Sequence, residues 1–72
     1  MIETEVLETW RIVERIRESQ LVCCFNIHSD YAYVWDITWV FSADDAHKKQ
    51  SLNVSYPNLL DAVKAAEKRI FT

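Results

Sequence analysis

Glycine is absent from this 72-residue chain, proline occurs once, and the only two cysteines are adjacent. Without glycine there is no glycine-rich phosphate-binding loop of either common kind. Cys23 and Cys24 have neither the spacing of a redox pair nor a second pair to complete a zinc site. Neighbours on a strand point to opposite faces, so these two thiols should diverge rather than bond, Cys23 inward and Cys24 outward. Reduced thiols suit a reducing compartment. Long apolar runs are missing as well. No uncharged stretch exceeds the 11 residues of Ser19–Ser29, well short of the roughly 18 that would span a bilayer. Met1 is followed by Glu3, Glu5 and Glu8, which is unlike the basic, then apolar, start of a secretory signal. The expectation is one cytoplasmic globular domain over residues 1–72, with no membrane partner.

Basic charge is also in short supply. Eleven acids stand against eight bases, a net charge of −3. The bases fall in three scattered groups, Arg11/Arg15/Arg17, Lys48/Lys49 and Lys64/Lys68/Arg69, each with acids nearby. A nonspecific grip on phosphates needs clustered bases. Nucleic acid is therefore not the expected partner.

What is present is apolar periodicity: half of the residues are hydrophobic. Ile2, Val6, Trp10, Val13 and Ile16 recur at three- and four-residue steps and predict a helix over about 3–18. Leu7 and Ile12 flank this stripe and widen it. Leu21–His28 and Tyr31–Phe41 alternate and read as strands. The odd residues are large and uncharged, which assigns them to the core. Keeping odd against odd across a hairpin calls for the loop Ser29-Asp30-Tyr31. It pairs Ile27 with Tyr33, Phe25 with Trp35, Cys23 with Ile37 and Leu21 with Trp39, and sets Cys24 opposite Asp36. Asp30 or Ser29 then takes the turn conformation that glycine usually supplies. Ser42–Asp45 resembles a weak capping box, so a short helical turn over 43–49 is expected. Ser51–Ser55 reads as a third strand, Leu52 and Val54 inward. Asn58-Leu-Leu-Asp61 caps a last helix with Leu59, Val63, Ala66 and Ile70 on one stripe.

The fold class is α+β in the order α-β-β-β-α, a three-stranded antiparallel sheet with both helices on one face. Trp10, Trp35 and Trp39 should meet in one core. This element order resembles that of the double-stranded-RNA-binding domain. That family's basic start to its last helix is here Asn58-Leu-Leu-Asp61-Ala62, and its minor-groove loop is here Ser29-Asp30-Tyr31. No RNA-binding residue is carried over.

No residue pattern predicts catalysis. His28 and His47 lack a nucleophile and a third, orienting group, and His28, Asp36 and Cys24 are too spread for a compact metal set. Asp44, Asp45 and His47 fit a capped turn. No catalytic, metal or cofactor site is expected, and the chain is not expected to be an enzyme. The expected function is a protein-interaction or assembly module, an accessory or inhibitor docking on a larger complex. Its partner is a protein or a second copy. The outer sheet face, Val22, Cys24, Val34, Asp36, Thr38 and Val40, is the expected contact, and the wide stripe of the first helix is its rival. The alternative is a nucleic-acid binder stacking bases on Tyr31, Tyr33, Trp35, Trp39 and Phe41.

Overall fold

A computed structural model describes residues 3–29 and 34–72. The order is α1 (Glu3–Ser19), β1 (Val22–Ser29), β2 (Trp35–Phe41), β3 (Lys49–Ser51) and α2 (Leu59–Ile70). The three strands form one antiparallel sheet in the order β1-β2-β3, an α+β fold.

Helix α1 begins on Glu3 and Glu5 and ends near Arg17, charges that suit the helix dipole at both ends. It stops at Gln20, whose φ of 59° is left-handed and whose N–H donates to the Arg17 carbonyl. The missing glycine has a visible consequence here: Gln20, His47 and Asn53 take the left-handed positions instead. Helix α2 opens as the sequence predicts. The Asn58 side chain accepts from the backbone N–H groups of Leu60 (2.8 Å) and Asp61 (3.4 Å), satisfying two donors that the first turn leaves unpaired.

The core joins both helices to one face of the sheet. Ile12 and Ile16 of α1, Ile37 and Trp39 of β2, Leu52, and Leu60, Ala62, Val63, Ala66 and Ile70 of α2 form one buried cluster. Trp39 meets Phe41 edge-on at 6.2 Å, and the Arg69 guanidinium lies 5.4 Å from the Trp39 ring centre while donating to the Ser51 carbonyl at 2.6 Å. The two helices are further tied by Arg15–Glu67 (2.9 Å) and Lys64–Glu8 (3.4 Å). Both pairs are exposed at one partner or more, so they orient the helices more than they stabilise them.

The hairpin register differs from the expected one by four residues. Phe25 faces Trp39, Ile27 faces Ile37 and His28 faces Asp36. Odd still meets odd, so the parity argument holds while the loop is longer than three residues. Ser29 pairs with Trp35 instead of starting a tight turn. Tyr31 and Tyr33, which the short loop invoked, lie outside the described residues, as does Ile2.

A bulge overturns the parity at the start of β1. Val22 pairs with Phe41 and Cys24 with Val40, leaving Cys23 as the extra residue. Val22 consequently packs against the core, and Cys23, expected inside, is exposed like Cys24. The segment 43–49 is not a helix but a turn, in which the Asp44 carboxylate accepts from the N–H groups of Ala46 and Lys48. The third strand lies earlier than expected. Leu52 is buried as anticipated, but the left-handed Asn53 breaks the alternation and Val54 is exposed. Beyond it, Tyr56 bridges to Trp35.

Candidate protein interface

The first half of α1 carries three large apolar side chains that the fold leaves in solvent: Val6, Leu7 and Trp10, the last 62% exposed. The reason lies in the width of the stripe. A helix turns 100° per residue, so Thr9, Ile12 and Ile16 share one side while Val6, Trp10 and Val13 share the adjacent one. The core takes the first side: Thr9, Ile12 and Ile16 are the buried residues of α1. The Thr9 hydroxyl avoids an orphaned donor by bonding back to the Glu5 carbonyl at 2.7 Å. Of the second side only Val13 packs against the core; Val6 and Trp10 are left over, and Trp10 does not join Trp35 and Trp39. Val6, Leu7, Thr9 and Trp10 line, together with Leu59 of α2, a hollow of about 400 Å³.

A second hollow of about 290 Å³ runs between α1 and β1. Val13, Ile16 and Arg17 form one wall and Val22, Cys23, Cys24 and Phe25 the other. The helix does not fully cover this strand. Cover runs out from β2 to β1: Ile37 is completely buried, whereas Ile27 directly opposite is 38% exposed.

The outer sheet face is a weaker surface than the sequence suggests. Val34, Asp36, Thr38 and Val40 are all half-buried, and Val22 has left that face for the core. Asp36 is engaged by the Ser55 hydroxyl at 2.7 Å. Cys24 alone of the six is exposed, and its sulfur accepts from the Asn26 amide at 3.1 Å. The wide stripe of the first helix was the rival in the sequence, and in the structure its Val6, Leu7 and Trp10 are exposed large apolar side chains, whereas none of the six outer-face residues is. Its signal was the excess width given to the stripe by Leu7 and Ile12.

The aromatic run of β2 is taken up by packing. Trp39 is buried, and Trp35 and Phe41 are half-buried against the core. The register brings His28 opposite Asp36, closer than the sequence reading placed them. Among the described residues no three His, Cys, Asp or Glu side chains converge as a metal set, and no helix is long and apolar enough to cross a membrane. No protein-family profile, curated protein or solved structure matches this chain.

Proposed function

We propose that this domain is a non-enzymatic protein-interaction module, an accessory or assembly protein that works by docking through the exposed apolar side of α1 and the hollows that flank it. The observation carrying this reading is Trp10. An indole exposed to this extent, beside exposed Val6 and Leu7 and over an apolar hollow, costs solvation that a purely solvated helix face has no reason to bear. Tryptophan is also among the residues that most often anchor protein interfaces. Glu3 stands one turn before Leu7 and two before Trp10 on the same side of the helix, an acidic neighbour that favours a protein contact over a phosphate backbone.

The test is capture from the native host with wild type and Trp10→Glu side by side. The docking reading expects one stoichiometric protein, a second copy or another chain, with wild type and its loss with Trp10→Glu at unchanged far-UV circular dichroism. An identical set of proteins with both baits overturns it. On single-stranded DNA or RNA columns the reading expects no salt-dependent retention.

A further inference from the structure

The β1 edge narrows the choice of partner. Trp35 exchanges backbone hydrogen bonds with Tyr56 (2.7 and 3.0 Å), and the Ile37 carbonyl accepts from Leu52 at 3.3 Å. The odd residues of β2 thus aim their peptide groups at the β3 side. Peptide groups alternate along a strand, so those of Asp36, Thr38 and Val40 aim at His28, Asn26 and Cys24. On β1 the remaining set, Phe25, Ile27 and Ser29, presents N–H and C=O to the free edge. Natural edges of this kind are usually guarded by a lysine, a proline, an inward charge or a bulge. Strand β1 reads Val-Cys-Cys-Phe-Asn-Ile-His-Ser; its bulge at Cys23 guards the start, and residues 24–29 beyond it have none of these.

Resting on the docking reading, we propose that the occupant is a second copy of this chain. The two β1 strands pair antiparallel about a two-fold axis at Asn26, joining two three-stranded sheets into one of six strands. Three features agree on this arrangement. First, the strand is self-complementary. With Asn26 opposite its symmetry mate, Phe25 meets Ile27 of the other copy on the inner face, in both halves. A shift by one permitted step toward the hairpin would set Phe25 against Ser29, and a shift the other way runs into the bulge at Cys23. With no charged side chain on the strand, no like charges oppose each other. Second, Val13 of α1 and the half-covered strand β1 wall one hollow, and Val6 and Trp10 share the Val13 side of the helix, so a strand added at this edge approaches that side of α1 as well. Third, the charge of α1 is uneven along its length. Glu3, Glu5 and Glu8 fill its first half, whereas the second holds Arg11, Arg15 and Arg17 with only Glu14 and Glu18 against them. Glu8, Arg15 and Arg17 are already paired within the domain, so two antiparallel α1 helices gain mainly the opposition of their dipoles, with the acidic start of each beside the less acidic end of the other.

A stable interface takes about 800 Å² from each partner, roughly a sixth of the 5107 Å² surface of this domain. An eight-residue strand edge and one side of a 17-residue helix supply a surface of that order.

Sedimentation equilibrium and a cross-link test the arrangement together. The wild type is expected to sediment at twice 8.5 kDa at high micromolar concentration, and Ile27→Lys as a monomer with unchanged far-UV circular dichroism. Asn26 faces its own mate in a non-hydrogen-bonded pair, where Cα atoms lie about 4.5 Å apart, within disulfide reach. In a Cys23→Ser, Cys24→Ser background, Asn26→Cys treated with oxidised glutathione should therefore form a covalent dimer, while Thr38→Cys, on the central strand, should not. A dimer that survives Ile27→Lys and gives no Asn26→Cys cross-link overturns the β1 interface. A wild type still monomeric at millimolar concentration overturns the dimer altogether. If that monomer captures a foreign protein through Trp10, the docking reading stands without the dimer; if it captures nothing, both fall.

Discussion

Ile27 and Ile37 face each other across the β1–β2 pair, yet Ile37 has no exposed surface and Ile27 is 38% exposed. Helix α2 closes over the central strand, while α1 meets β1 along its start at residues 22–25 and leaves Ile27 beyond it half open. The two positions should respond differently to the same truncation. Ile37→Ala is expected to cost about 2–5 kcal/mol, the range for a fully packed core side chain, which is enough to unfold a domain of this size. Ile27→Ala should cost well under half as much when unfolding in urea is followed at submicromolar concentration, where self-association is absent. Equal losses at the two sites would mean that β1 is covered as fully as β2.

Gln20 holds a left-handed conformation at the end of α1, where a side chain adds roughly 1 kcal/mol of steric cost. Gln20→Gly should stabilise the domain by about 0.5–1 kcal/mol, since the position is the one at which helices most often place glycine. A rise in the urea midpoint without a change in slope is the expected sign. A lower midpoint would show that the flexibility glycine adds to the unfolded chain outweighs the relief.

Arg69 spans the Trp39 ring and the Ser51 carbonyl, binding α2 to the buried indole and to β3. Arg69→Ala should lower stability by about 1–2 kcal/mol, one charge-assisted hydrogen bond plus a cation–π contact. Arg69→Lys should recover only part of this, because an ammonium cannot stack as a plane. Thermal unfolding of the three proteins gives the comparison, and an alanine variant as stable as wild type would remove Arg69 from the structural account.

The Arg17 guanidinium donates to the Glu14 carboxylate at 2.7 Å, and this hydrogen bond holds the Glu14 carboxyl below its ordinary value. A depressed carboxylate contributes stability above its unfolded pKa and loses it as pH falls through the folded one. Both groups are solvated, so the contribution is small and salt-sensitive. Carboxyl carbon shifts followed by NMR should show the Glu14 midpoint rising in Arg17→Ala. The difference should shrink in molar salt; a midpoint that ignores the substitution contradicts the pairing.

The element order, the Asn58 cap and the inward parity of Ile37 and Trp39 could all be read from the sequence, because each depends on neighbours a few residues away. What escaped was relational. Three loop lengths that differ by two residues preserve the same parity, so alternation alone could not choose between Phe25–Trp35 and Phe25–Trp39. The bulge at Cys23 leaves no compositional mark, since valine, cysteine and phenylalanine suit regular and bulged strands alike. On α1, two adjacent arcs are both apolar, and periodicity cannot say which one the rest of the chain will claim. The answer came from Leu60, Ala62 and Val63 of α2 and from β2, whose packing took Thr9, Ile12 and Ile16 and left Trp10 outside. That leftover arc is the candidate site, which is why the sequence offered it only as a rival to the outer sheet face.

The sharing of one core by the first and last helices has a consequence for incomplete chains. The sheet is made from contiguous residues, whereas the lid over Ile37 and Trp39 is largely α2, the element farthest from α1 along the sequence. Until α2 docks, the inward face of β2 is bare and the domain is at its most adhesive. A chain cut within Leu59–Ile70 keeps that face open for good, so loss of the last helix should turn a well-behaved domain into an aggregating one.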